Sequence, residues 1–180
     1  CPVVLSQYPL VLRLIVFPMS KIRMGIRIKG KGNLKRYKEL LSKGAVTVSN
    51  HVHMWDYIMI MNAIKPIRPY LLSWKKNVSG ESGPLVRLVG GIPIPEDDPQ
   101  ATVVYLNTIR DLLNNGGWLH IYPEGSMWEY YAPIRPFKDG ASYFAYKADK
   151  PLVPMAFSYS ECGFIRKKIF HQIAKITLNI

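Results

Sequence analysis

Ala45-Val46-Thr47-Val48-Ser49-Asn50-His51-Val52-His53-Met54-Trp55-Asp56 is a short apolar run that breaks into a polar turn, after which Trp55 to Ile64 continues as a helical run. Ala45 to Ser49 reads as a buried strand, so the turn stands at a strand exit, where ligands bind in α/β sheets. From Ser49 to Asp56 it holds two of the four histidines and a carboxylate. Five positions on a continuous helix separate side chains by about 140°. His51 therefore pairs with Asp56 only if His51 lies in the turn and Asp56 in the first helical turn, where a carboxylate is favoured. A carboxylate bonded to one imidazole nitrogen fixes the tautomer and leaves the other nitrogen to take a proton from a hydroxyl. The pair reads as a general base and its orienting acid. The plainer reading of the same residues is a helix cap beside ordinary turn histidines.

On either side of this turn, strand and helix patterns alternate. Met24 to Lys29 alternates like a half-exposed strand, and Leu34 to Lys43 reads as a helix with Asn33 as N-cap and Gly44 beyond its end. Pro66 and Pro69 stop the helix after the turn, Tyr70 to Trp74 is a short strand ending at Lys75 and Lys76, and Ser79 to Pro84 is a loop. Asp98 caps a helix with Pro99 in its first position and Val103, Leu106, Ile109 and Leu113 along one face, closed by Gly116. Trp118 to Tyr122 is a strand, and Pro123-Glu124-Gly125-Ser126 stands at its exit, where it can converge with His51 on one crevice. A helix from Ala141 to Ala148, a strand from Leu152 to Tyr159, a turn from Glu161 to Gly163 and a hairpin partner complete the chain. The expected fold is a single α/β domain with a twisted, mostly parallel sheet flanked by helices.

Composition narrows the partners. Lys and Arg number 24 against 12 Asp and Glu in 180 residues, and ten of those bases but one acid fall between Arg13 and Lys43. An apolar segment, Val3 to Phe17, precedes them, interrupted by Pro9 and Arg13. It is too short for a membrane span, and its charges follow the apolar stretch, unlike a signal peptide. An apolar segment followed by a basic one suits the interface of an anionic membrane, so residues 1–30 are expected to be membrane-associating and 31–180 catalytic. The protein is then expected at the cytoplasmic face of the cell membrane, peripheral or monotopic. Nucleic acid is not expected, because no helix-turn-helix, zinc-finger or RNP-like pattern is present. Two cysteines, Cys1 and Cys162, build no disulfide framework. The chain opens without Met and closes on a strand-like run, Ile173 to Ile180, so a C-terminally incomplete fragment is expected.

Four blocks occur in order: Asn50-His51 followed after four residues by Asp56, Gly90-Gly91-Ile92-Pro93-Ile94, Tyr122-Pro123-Glu124-Gly125-Ser126, and Pro151-Leu152-Val153-Pro154. With Phe137-Lys138-Asp139-Gly140-Ala141 they resemble the glycerolipid acyltransferase superfamily, which includes the 1-acylglycerol-3-phosphate acyltransferases, over about Val46 to Phe157. The resemblance implies an O-acyltransferase of phospholipid biosynthesis that uses no cofactor, with acyl-coenzyme A or acyl carrier protein as donor and a lysophospholipid, first of all 1-acyl-sn-glycerol-3-phosphate, as acceptor. It implies that His51 deprotonates the acceptor hydroxyl, that Asp56 orients His51, and that Asn50, Gly91, Ile92, Pro93, Glu124, Gly125 and Ser126 shape the substrate site. An activated thioester needs only a base and a stabiliser for the oxyanion. Ser126 lacks the second glycine of a nucleophile elbow.

The chain departs from the family pattern where many members carry phosphate-binding arginines, having Glu96 and Met127 there. Arg135 and Lys138, with Lys75 and Arg87, are the cations expected to replace them. Two other classes compete. One is a metal-dependent hydrolase built on His51, His53 and Asp56, with Glu124 or His120 completing the shell. Against it, the aspartate stands one position off a His-x-His-x-Asp pattern. The other is a non-catalytic basic membrane-binding module. Trp128, Tyr130 and Tyr131 form an aromatic cluster that either meets the membrane, closes over an acyl chain, or simply packs.

Overall fold

A computed structural model describes residue 10 and residues 12–81 and 83–180. Most of the expected apolar segment before Leu12 lies outside the described residues. A π-helical turn, Leu12–Val16, runs into helix α1, Phe17–Met24, and strand β1, Arg27–Lys29, follows. Helices α2, Lys31–Arg36, and α3, Lys38–Leu41, lead to β2, Ala45–Val48, and then to α4, Asp56–Ile64. Next come β3, Tyr70–Trp74, α5, Lys75–Ser79, α6, Gly83–Leu88, and β4, Gly91–Ile94. The long helix α7, Pro99–Asn114, precedes β5, Trp118–Ile121, and α8, Gly140–Lys147, precedes β6, Leu152–Pro154. Strand β7, Ala156–Glu161, helix α9, Phe164–Phe170, and strand β8, Ala174–Asn179, close the described chain.

Five strands form a parallel sheet in the order β4-β3-β5-β2-β6. Every residue of β2 and β5 is buried, as continuous apolar strands covered on both faces must be. Alternation along the strands then separates two cores. Ala45 and Trp118 face α4, with Met59 and Ile60, while Val46, Val48, Leu119 and Ile121 face α7 and α8, with Ile109, Leu113 and Phe144. At the entry to β2, Gly44 has φ +101°, and a Cβ there would meet Leu113 O at 2.7 Å and Gly117 O at 2.8 Å. Only glycine fits that conformation and that approach.

A second, three-stranded sheet, β1-β8-β7, was not expected. The expected strand Leu152 to Tyr159 is two strands in different sheets, with the chain crossing over at Met155, whose N–H donates to Val48 O at 2.8 Å. The period-two pattern continues through the crossing, and Pro154, just before it, is the local break signal. The hairpin partner is present as β8, antiparallel to β7, but helix α9 is inserted before it.

Other boundaries also differ from expectation. The helix expected over Leu34 to Lys43 starts at Lys31 and breaks at Tyr37. Asn33 lies inside it, its amide donating to Ile180 O at 2.8 Å instead of capping. The residues after Trp74, expected as charged ends and loop, form α5 and α6, helices too short for their periodicity to be read. In α7 the Asp98 cap is present, accepting from Ala101 N at 3.0 Å, and Ile109 and Leu113 are fully buried, but Val103 is exposed. Among the described residues no helix is long and apolar enough to cross a membrane.

Candidate active site

Because β2 and β5 are parallel neighbours in register, with Val48 opposite Ile121, the turns that leave them emerge side by side. Backbone bonds join these turns: Trp128 N–H donates to His51 O and Tyr130 N–H to Val52 O, each at 3.0 Å. The two polar stretches therefore meet in one place.

The first turn is built around Asp56. It occupies the first position of α4, fully buried, and its Oδ2 accepts from Val52 N at 2.7 Å, His53 N at 2.9 Å and His51 Nδ1 at 3.2 Å. Two backbone donors hold the carboxylate in place, so the His51 ring takes its orientation from the fold. With Nδ1–H bonded to Asp56, Nε2 is the nitrogen left to accept a proton. The His51 side chain is 24% exposed. Its ring stacks on Tyr122 at 3.8 Å between centroids and an interplanar angle of 10°. Asp56 Oδ1 is buried and has no partner among the described residues.

The second turn is built around Glu124. Its Oε2 accepts from His51 N at 3.2 Å and from Arg135 Nη2 at 2.7 Å, and its Oε1 accepts from Arg135 N at 3.1 Å. Arg135 also donates to Ser126 Oγ at 2.9 Å and to the Ser126 carbonyl, and it lies over the Trp128 ring at 4.6 Å. The pair is nearly closed to solvent, with side-chain exposures of 11% for Arg135 and 1% for Glu124. Arg135, expected as a replacement phosphate ligand, bonds the turn through both terminal nitrogens, while its Nε is buried without a partner among the described residues. Lys138 is exposed, and its Nζ lies 3.1 Å from the point where a Cβ on Gly125 would stand, Gly125 having φ +76°. Glycine here leaves room for an ammonium group beside the His51 turn.

The other expected residues fall into two groups. Asn50 bonds Phe157 in both directions, Nδ2 to the carbonyl at 3.1 Å and Phe157 N to Oδ1 at 2.7 Å. It ties the turn to the second sheet. Gly91, Ile92 and Pro93 lie on β4, three strand spacings or about 14 Å from β2, with Gly91 opposite Leu71, the residue that pairs with His120. A Cβ on Gly91 would meet Val86 Cγ1 at 2.5 Å, and Ile92 packs into the α7 core. Packing accounts for these two, and Pro93 is exposed. Glu96 and Met127 are exposed.

The metal-shell reading meets committed donors. His53 Nδ1 accepts from Trp55 N at 3.2 Å, and burial holds its imidazole below the ordinary value against the raising charges of Asp56 and Glu129. His120 is fully buried between Thr47 Oγ1, at 2.9 Å, and Ser49 Oγ, at 3.4 Å. Burial first, and the charge of His51 second, lower its pKa to about 3, so it stays neutral. No group of three metal-binding side chains occurs among the described residues.

The sequence reading missed Tyr122 as the platform for His51. Its ring also meets His120 edge-on at 4.6 Å, and its hydroxyl is buried without a partner among the described residues. Burial, with the charge of Asp56, raises that phenol well above its ordinary value. The parallel pairing of β2 with β5, once assumed, would have placed residue 122 beside residue 49. A hollow of about 310 Å³ lined by Met61, Arg68, Tyr70, Arg87 and Leu88 lies where β3 and β4 begin, the far end of the sheet from His51.

A family model described as Acyltransferase matches residues 25–158. The fold is similar to the crystal structure of the 1-acyl-sn-glycerophosphate (LPA) acyltransferase PlsC from Thermotoga maritima, with a TM-score of 0.56 and 16% identity, over 86% of this chain and 58% of that one. The chain thus spans less than two thirds of that relative's length. No curated protein sequence matches it significantly.

Proposed function

The chain belongs to the acyltransferase family, and from that premise we propose that it moves a fatty acyl group from an acyl thioester to the hydroxyl of a lysophospholipid. The observation that carries this reading is the His51 Nδ1–Asp56 Oδ2 contact of 3.2 Å, with the acid buried and the ring partly open. His51 Nε2 takes the acceptor's hydroxyl proton as the oxygen attacks the thioester carbonyl. The C–S bond then breaks, and the thiolate leaves with the proton returned by the imidazolium. Asp56 stabilises the imidazolium between these two steps. No acyl-enzyme is formed, so both substrates bind together.

The proposed donor is acyl-coenzyme A or acyl carrier protein, both anionic and suited to a chain of net charge +12. The proposed acceptor is 1-acyl-sn-glycerol-3-phosphate, with exposed Lys138 beside Gly125 as the first cation for its phosphate. The proposed place is the cytoplasmic face of the cell membrane. Leu14, Ile15, Met19 and Ile22 support it, each more than half exposed on a segment that also carries Lys21.

Free thiol release from acyl-coenzyme A and acyl carrier protein, with lysophosphatidic acid or phosphate-free lysolipids as acceptors, tests the reading. His51→Ala should cost about 10²–10⁴-fold in turnover with the thermal melt unchanged. Equal release by the variant would overturn the assignment of the base, and absence of release by the wild type would favour a binding module.

A further inference from the structure

Helix α9, Phe164–Phe170, buries none of its residues. Phe164, Ile165 and Ile169 are exposed, as is Ile173 just beyond. A short connection between two antiparallel strands gains nothing from four apolar side chains in water, and clustered exposed apolar surface marks a contact site. At 100° per residue, Phe164, Ile165 and Ile169 fall within an arc of about 140°. Lys168 lies inside that arc, and Arg166 and Lys167 flank it.

The charge on this element has one sign. From Phe164 to Ile180 the cations are Arg166, Lys167, Lys168 and Lys175, and no acid occurs. Arg166 turns back to the body of the protein, its Nη1 donating to Ile22 O at 3.1 Å, and its guanidinium fills the space that a Cβ on Gly25 would need. Helix α9 is thereby fastened to the end of α1, where Met19 and Ile22 are themselves exposed. Two short elements far apart in sequence thus present apolar and cationic side chains at one edge of the fold.

We propose that α9 is a membrane-contact element, which inserts Phe164, Ile165, Ile169 and Ile173 among the headgroups of an anionic bilayer while Lys167 and Lys168 meet the lipid phosphates. Apolar side chains among acid-free cations match such a surface on both counts. The proposal rests on the reading of a lipid acceptor given above and adds a second point of attachment. Strand β7 runs from Phe157, which is bonded to Asn50 beside His51, into α9. Docking through α9 therefore also sets how the His51 turn faces the lipid.

The test is co-sedimentation of the whole chain with vesicles of phosphatidylcholine alone and of phosphatidylcholine mixed with phosphatidylglycerol. Ile165→Glu/Ile169→Glu and Lys167→Glu/Lys168→Glu are compared with the wild type. All four positions are exposed or on the helix surface, so the thermal melt should hold. The expected result is binding to the anionic vesicles that drops at least about tenfold in both variants, with thiol release from a dispersed short-chain acceptor unchanged. Unchanged vesicle binding in both variants would overturn the proposal, as would a dimeric wild type that becomes monomeric on Ile165→Glu/Ile169→Glu while vesicle binding persists. Failure of the acyltransfer reading would appear separately, as absence of thiol release from the wild type.

Discussion

Two acid–base pairs stand at neighbouring strand exits, and they use their charge in opposite ways. At the exit of β2, Asp56 is sealed but His51 keeps a quarter of its side chain open, so the chain of bonds ends on a partly open imidazole. At the exit of β5, Glu124 and Arg135 are both nearly closed to solvent, and most of their polar atoms bond one another or the turn. A hydrogen-bonded charge pair with one open end has an atom left for chemistry; one nearly closed at both ends holds the turn in shape. Residue types alone do not separate the two cases. What separates them is which atoms the backbone has already claimed.

The contrast is broken most severely at the closed pair. Glu124→Gln leaves the Arg135 guanidinium buried without its counter-charge, and losing one partner of such a pair costs about 3–5 kcal/mol. Denaturant unfolding should register that loss. Because Glu124 also receives the His51 N–H, turnover should fall alongside stability. A variant as stable as the wild type but inactive would instead mean that Glu124 meets substrate directly.

At the open pair, Asp56→Asn should do the reverse. The N–H groups of Val52 and His53 require an acceptor at the Oδ2 position, so the asparagine oxygen should sit there and its NH₂ should replace the unpartnered Oδ1. The His51 tautomer is then kept and only the stabilisation of the imidazolium is lost, about 1.5–3 kcal/mol for a bond to a charged group. Turnover should drop by roughly 10- to 100-fold, while the melt changes little. A loss as large as that of His51→Ala would mean that the tautomer had inverted.

Much of this could be read from the chain. The strand, turn and helix around His51, the Asp98 cap of α7 and the alternation that builds the parallel sheet are local patterns, and the structure has them. The second sheet could not be read, because β1 pairs with β8 across almost the whole chain and the crossing at Met155 interrupts no hydrophobic pattern. The roles of Asn50 and Arg135 were out of reach for a related reason. Each is decided by a bond to a distant backbone or carboxyl group, Phe157 or Glu124, and polar residues near a motif look alike until such bonds are known. Arg135 was therefore expected at a phosphate, and the structure has it inside the turn.

Just before the exit of β5 stands His120, fully buried and edge-on to Tyr122. Its folded pKa of about 3 is below its unfolded value of about 6.5. The unfolded chain therefore binds the extra proton between those limits. Stability from this group is complete above about pH 6.5 and is lost as pH falls toward 3, by up to about 1.4 kcal/mol per pH unit. His120→Gln should flatten the acid side of the pH–stability curve, measured by thermal melts. An unchanged slope would mean that other groups govern acid unfolding.

The smallest effect is expected at Tyr122, where ring and hydroxyl have separable jobs. The ring is the platform on which His51 stacks, and phenylalanine preserves it. The hydroxyl is buried with no partner among the described residues, so removing it should change stability by less than about 1 kcal/mol, or raise it slightly, since an unsatisfied polar group is itself a cost. Tyr122→Phe should then turn over at the wild-type rate, whereas Tyr122→Leu, which loses the stack, should lower kcat and leave KM for the donor unchanged. If Tyr122→Phe alone lowered kcat, the hydroxyl would have to meet a group that arrives with the substrate, placing the reacting atoms on the Tyr122 side of the imidazole. Wild-type turnover by Tyr122→Phe would leave the ring alone as what Tyr122 contributes to the site.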